Sequence, residues 1–273
     1  MHKLSVRNPL SDSVSFEVHG AGRVLFTYRN HDKVILIHGF NTPPNEANAS
    51  YAKLLRRVEK RVRIATPTDF FAFHWPGDAV GGGTARNAVS YPARVGPANH
   101  SGDLLAGLLE QVDPSCRIVL VAHSLGNRVL LRALAHLLAT HRVAPGVTHA
   151  ILMAAAVSEG DCTPPGEFSK PYPSTRYVVL YSHSDRVLRD AFPIGQSLFG
   201  PRSSGQAVGF GGGPTSRWRD ADSVETGLGH NGYWSSMHAL RALDVAVGRL
   251  QPRPIAEGWN LAERSLPRRA VPT

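Results

Sequence analysis

The sequence predicts an α/β fold in which a mostly parallel central sheet carries helices on both faces and glycine-rich loop insertions. Three observations point to it. The runs Val34–Ile37, Ile118–Val121 and Tyr177–Leu180 show no polar alternation, as expected of strands covered on both faces. Segments with helical spacing of apolar residues lie between such runs, and repeated strand–helix order specifies a parallel sheet. One strand, Val119–Ala122, passes into a helix through a serine flanked by small residues, a turn that belongs to sheets of this kind.

The 273 residues, 42% apolar and 19% charged, suit one domain over residues 1–250 with a full core. Within it, Val14–Val18 and Arg23–Tyr28 read as a hairpin around Gly20-Ala21-Gly22, an N-terminal unit over residues 1–33 leading into the sheet. The core strands follow at Val34–Ile37, Phe70–Phe73, Ile118–Val121, Ala150–Met153 and Tyr177–Leu180. Helices are expected over about Glu46–Arg63, Leu104–Val112, Leu125–Thr140 and Ser235–Leu250. Two glycine-rich segments, Gly77–Gly102 and Arg186–Asp222, read as loops or caps over the sheet, the second as a lid-like element. Neither has the strand, fixed glycines and immediate helix of a nucleotide-binding loop. Residues 251–273, with four prolines, read as a loosely held tail.

A net charge of +9 raises the question of an anionic partner. The densest basic stretch, Lys53–Arg63, has Tyr51, Leu54, Leu55, Val58 and Val62 at helical spacing and the cations largely between them, the pattern of a solvated amphipathic helix. No nucleic-acid partner is expected. No apolar run reaches the length of a bilayer span, so no membrane insertion is expected. Met1–Leu10 lacks the apolar stretch of an export signal, which makes the cytoplasm the expected location. Cys116 and Cys162 read as inert buried thiols rather than a disulfide framework or metal cluster.

The chemistry concentrates at Ala122-His123-Ser124-Leu125-Gly126-Asn127-Arg128. A serine at a sharp strand-to-helix turn has a strained backbone, so the positions two before and two after it must be small, here Ala122 and Gly126. This elbow lifts the Ser124 hydroxyl to the sheet's end above a helix N-terminus. A second buried strand ends in His38-Gly39-Phe40-Asn41, where a glycine-opened turn can aim a backbone amide at a developing oxyanion. Phe40 NH and Leu125 NH are the expected oxyanion donors.

A serine needs a base, and the base a carboxylate to fix its tautomer. In sheets with a nucleophile elbow these follow in the order Ser, Asp or Glu, His. Asp185 lies just past the Tyr177–Leu180 strand, and His230 lies in the loop Gly227-Leu228-Gly229-His230-Asn231-Gly232-Tyr233. Asp161 and Asp190 are alternatives for the acid, His238 and His183 for the base; strand-end position and chain order favour Asp185 and His230. No histidine pair has zinc-protease spacing, so neither metal nor cofactor is assigned. His38, Gly39, Asn41, His123, Trp75 and Tyr233 are the expected substrate-binding residues. The aromatic residues Trp75, Tyr91, Phe192, Phe199 and Trp234 suggest a partly apolar acyl site.

At these residues the chain resembles the α/β-hydrolase superfamily, most closely a bacterial esterase- or lipase-like branch. The shared motifs are His-Gly-Phe/Tyr-Asn at 38–41, Ala-His-Ser-x-Gly-Asn-Arg at 122–128 and Gly-x-Gly-His at 227–230. The resemblance spans about Val34–Leu250 and implies the α/β-hydrolase fold and hydrolysis of a small-molecule carboxylic ester through an acyl-enzyme, short to medium acyl chains being favoured. Lipase, thioesterase, lactonase or amidase action by the same residues is the alternative, and a silent hydrolase fold used for binding is another.

Overall fold

In the computed structural model, the described residues are 1–7, 14–17, 31–62, 64, 67–78, 84–140, 146–197, 205–213, 218 and 221–248, with only the backbone at 14–17 and 84–92. Strands β1 (His2–Arg7), β2 (Val14–Glu17), β3 (Asp32–Ile37), β4 (Thr68–His74), β5 (Ile118–His123), β6 (Val147–Met153), β7 (Arg176–Tyr181) and β8 (Ala221–Glu225) form one sheet. Its order is β2-β1-β4-β3-β5-β6-β7-β8. Every neighbouring pair is parallel except β1 with β2. This is the α/β-hydrolase arrangement anticipated above, and β3 and β5 are buried at every position.

The helices are α1 (Pro44–Arg61), α2 (Thr84–Leu109), α3 (Gly126–Ala139), α4 (Phe192–Ser197), α5 (Val208–Gly211) and α6 (Met237–Val247), with a π-helical turn at Val187–Ala191 and a 3₁₀ turn at Tyr233–Ser235. Helix α1 starts with a proline, carries Glu46 in its first turn and Lys60 and Arg61 in its last, and buries Ala47, Tyr51, Leu54 and Val58. Its charges complement the helix dipole at both ends. The chain leaves β3 toward β4 on one side and later crosses to β5 on the other. That reversal opens a crevice beyond the carboxyl ends of β3 and β5, where ligands bind in sheets of this type.

Three features differ from the sequence expectation. Strand β2 pairs with β1, in the register Ser5 to Glu17 and Arg7 to Val14; residues 23–28, the other arm of the expected hairpin, lie outside the described residues. Strand β1 was not anticipated, although Leu4 and Val6 alternate inward at 1% exposure each. The second difference is α2, which runs through most of the expected Gly77–Gly102 loop. Pro92, Gly96, Pro97 and Gly102 disfavour a helix locally, but tertiary packing overrides them. A Cβ at Gly102 would lie 2.6 Å from Arg132 Cβ, so glycine allows α2 and α3 to approach closely. Third, the expected lid segment holds α4 and α5 and ends in β8, which lies parallel to β7. Residues 251–273, expected as a tail, lie outside the described residues. No described helix is long and apolar enough to cross a membrane. Cys116 and Cys162 are buried free thiols.

Arg128 ties the elbow helix to its surroundings. Its Nε donates to Asn99 Oδ1 at 2.8 Å, Nη1 to Asp161 Oδ2 at 2.9 Å and Nη2 to Glu167 Oε2 at 3.3 Å, while its guanidinium lies over the Phe168 ring. Arg128 and Asp161 are each 8% exposed. Removing one member of a buried, hydrogen-bonded ion pair strands the other charge. Arg128→Met is expected to lower stability by about 3 kcal/mol, and urea denaturation of the variant against wild type measures it.

Candidate active site

Three loops meet at the crevice. The first is the elbow. Ser124 has φ +52°, a strained conformation for a non-glycine residue. Its N–H donates to Met153 O at 3.0 Å. The Asn127 side chain, fully buried, donates from Nδ2 to both Ser124 O and Met153 O at 2.9 and 3.0 Å. Gly126 is required by contact: a Cβ there would stand 2.3 Å from His38 O. Leu125 caps α3, so its amide belongs to the first-turn N–H groups that have no partner within the helix.

The second loop follows β3. A Cβ at Gly39 would lie 2.8 Å from Ser124 Cβ, so the Gly39–Phe40 turn abuts the elbow. Asn41, at φ +52°, donates its N–H to Gly77 O at 2.7 Å. His38 is buried with its Nδ1–H donating to Gly39 O at 2.9 Å and its Nε2 accepting from Trp75 N–H at 3.3 Å. Trp75 stacks on that ring and donates Nε1–H to His38 O at 2.8 Å.

The third loop carries His230. Its Nδ1–H donates to Asp185 Oδ2 at 2.8 Å, and its Nε2 lies 3.0 Å from Ser124 Oγ, placed to accept the hydroxyl proton. Asp185 is fully buried, and its other oxygen accepts from Leu188 N–H at 3.1 Å. One backbone donor and one imidazole thus occupy the two carboxylate oxygens. His123 donates Nε2–H to His230 O at 2.7 Å, and its ring packs on His230, Tyr233 and Trp234. A hydrogen-bonded chain from carboxylate through imidazole to hydroxyl can draw the proton from serine as oxygen attacks an acyl carbon.

Above Ser124 opens a cavity of about 640 Å³. Val187, Leu188, Ala191, Phe192 and Trp234 form an apolar wall, while Asn41, Thr42, Glu46, Ser50 and Lys53 form a polar one. Of the expected substrate-binding residues, Asn41 and His123 line this space, whereas His38, Gly39, Trp75 and Tyr233 do not. The correction has a physical reason: His38, Trp75 and Tyr233 are at most 1% exposed, because they pack behind the turns that face the cavity. Phe192 and Trp234 line it as expected; the side chain of Tyr91 and all of Phe199 lie outside the described residues. The alternative acids and bases are engaged elsewhere. Asp161 pairs with Arg128, Asp190 with Arg189 and His183 with Glu225, while His238 sits on α6. Asn127 escaped the sequence reading as a site residue although it stands in the elbow motif, since only its tertiary contact with Met153 O distinguishes it from a surface asparagine.

The family described as alpha/beta hydrolase of unknown function (DUF900) matches residues 22–198, well over half of the chain. The chain belongs to this α/β-hydrolase family. No curated protein matches it. Among solved structures, the catalytic core domain of acetyl xylan esterase from Trichoderma reesei is similar at 14% identity, with 80% of this chain and 100% of that chain covered and a TM-score of 0.44. Polyneuridine aldehyde esterase is similar at 14% identity, with 79% and 99% covered and a TM-score of 0.40.

Burial holds three histidines around the site well below the ordinary imidazole value: His38 at about 4, His74 at about 3 and His123 at about 3, the last also repelled by the neighbouring His230 ring. They are neutral in the fold, but in the unfolded chain they titrate near ~6.5. Because the folded-state values are depressed, the unfolded state binds more protons between those values, and stability rises with pH. Their contribution is complete above about pH 6.5 and is lost as pH falls toward 4. Burial also holds His149 at about 4, so urea unfolding between pH 4.5 and 7.5 is expected to show an uptake on the order of three to four protons on unfolding near pH 5.

Proposed function

We propose that the chain is a serine hydrolase that cleaves carboxylic esters through an acyl-enzyme. The observation that carries this reading is the continuous hydrogen-bonded series Asp185–His230–Ser124, at 2.8 and 3.0 Å, opening on the cavity. His230 Nε2 takes the proton from Ser124 Oγ as the oxygen attacks the ester carbonyl, and Asp185 holds the imidazole with Nε2 free to accept. The negative oxygen of the tetrahedral intermediate lies between Phe40 NH and Leu125 NH, with the N-terminus of α3 behind it. His230 then protonates the departing alkoxide. In the second half of the cycle it activates water, which attacks the acyl carbon and releases the acid.

The apolar wall of Val187, Leu188, Ala191 and Phe192 favours a short to medium acyl chain. Burial of such a chain contributes about 0.8 kcal/mol per methylene. Ester rather than amide chemistry is the economical reading for a site with these groups alone, since the alkoxide leaves more readily than an amine.

Turnover of p-nitrophenyl butyrate by wild type, and its loss by at least 10⁴-fold in Ser124→Ala, are the expected outcomes. Asp185→Asn is expected to reduce kcat by about 10³- to 10⁴-fold, because the wrong tautomer of His230 is then presented. A fluorophosphonate should label Ser124 in folded wild-type protein. Absence of both labelling and turnover in protein with a native unfolding transition would overturn the proposal.

A further inference from the structure

We propose that the substrate carries an anionic group, a carboxylate or a phosphate, which Lys53 binds while the ester lies at Ser124. This rests on the ester-hydrolase reading and narrows its substrate class.

Lys53 is exposed on α1 and lines the same cavity as Ser124 and His230. Several cations elsewhere in the molecule pair with carboxylates: Arg7 with Asp78, Lys33 with Asp69, Arg117 with Asp32 and Arg176 with Asp222, all within 2.8 Å. On α1 they do not. Among the described residues, no carboxylate lies within ion-pair distance of Lys53, Arg56, Arg57, Lys60 or Arg61. Arg57 and Arg61 instead reach the Met237 sulfur at 3.7 and 3.2 Å.

Position on the helix gives this excess charge a direction. Lys53, Arg57 and Arg61 are four residues apart, so they form a single stripe along α1. The stripe continues the polar wall formed by Ser50 and Lys53 away from Ser124. Glu46, the one carboxylate among the described residues lining the cavity, stands seven residues before Lys53, roughly 10 Å along the helix axis. The ammonium is therefore available to an oxyanion on the cavity wall, and the arginines one and two turns further along α1 strengthen the positive potential along that helix. A carboxylate or phosphate there would anchor the substrate at α1 and set which way the ester enters.

The test compares four acetate esters of similar aryl alcohols: 4-acetoxybenzoate, 4-acetoxyphenyl phosphate, the neutral 4-acetoxybenzamide and (4-acetoxyphenyl)trimethylammonium. Wild type is expected to show kcat/KM at least tenfold higher for one or both anions than for the amide. That ratio should fall at least fivefold in Lys53→Met and should shrink between 0.05 and 0.5 M salt. Calorimetry with Ser124→Ala protein, which retains the esters intact, should show the favoured anion binding more tightly than the amide, and Ser124→Ala/Lys53→Met should lose that preference. Equal rates for anion and amide, a preference for the ammonium ester, or a ratio unchanged by Lys53→Met would overturn the inference. If no ester is turned over and Ser124 takes no fluorophosphonate label, the hydrolase reading fails, and binding to the Ser124→Ala protein still decides: no preference for either anion removes the Lys53 site.

Discussion

The contact on which the site depends is the seating of the first turn of α3 against the end of β3. A single methyl at Gly126 would sit 2.3 Å from His38 O, and one at Gly39 would press on Ser124 Cβ at 2.8 Å. Two glycines, Gly39 in the turn after β3 and Gly126 at the start of α3, therefore set how near the elbow comes to the oxyanion turn. The strain at Ser124, φ +52°, is held because the surrounding bonds leave no relaxed alternative. Met153 O receives both the serine amide and the Asn127 side chain, and Ser124 O receives Asn127 from side chain and backbone. Strain of this kind persists only where neighbouring structure over-determines it.

The same logic extends outward. Asp185 is fixed by the chain that follows it, since its Oδ1 accepts from Leu188 N–H in the turn that supplies the cavity's apolar wall. Acid and wall are thus placed by one short segment. Helix α5 closes the far side: a Cβ at Gly209 would lie 2.1 Å from Ala155 N, and Gly209 links Ala155 O to Ser182 N. Glycine here permits backbone to pack on backbone between the ends of β6 and β7. Part of the glycine-rich segment is therefore a structural buttress of the acid's loop, rather than a cover that floats above the sheet.

Legibility in the sequence followed the range of the interactions. The strands between Val34 and Leu180, three helices and the elbow were readable because their determinants are local: unbroken β-branched runs, apolar spacing and small residues around Ser124; β8, half-exposed and without such a run, was not. The grouping of Asp185 and His230 with Ser124 was readable because chain order in a parallel sheet fixes which loops meet at one edge. Helix α2 was readable only over its last turns, from Leu104 on, since Pro92, Pro97 and Gly102 argue against its earlier part locally and only the close approach to Arg132 makes the glycine favourable. Strand β1 was overlooked because a six-residue alternation at the terminus is short of contrast until β4 supplies its partner. Trp75 and Tyr233, expected to bind substrate, are fully buried, because sequence spacing does not tell whether a ring faces a cavity or supports the turn that does.

The distribution of charge separates two zones with different tasks. Around the reacting groups, His38, His74 and His123 are buried and held neutral, so they orient backbone without adding competing positive charge. His38 bonds the Gly39 carbonyl, and His123 bonds the His230 carbonyl; these two uncharged rings fix two of the three loops that meet at Ser124. A protonated ring at either place would repel the imidazolium that forms on His230 during the proposed proton transfer, in surroundings where low dielectric makes such repulsion strong. Lys53 of α1 is exposed, so solvent screens its charge from His230 but leaves it able to attract an anion along the polar wall. A neutral support close to the proton transfer and a single ammonium, that of Lys53, on the polar wall meet opposing electrostatic needs within one cavity.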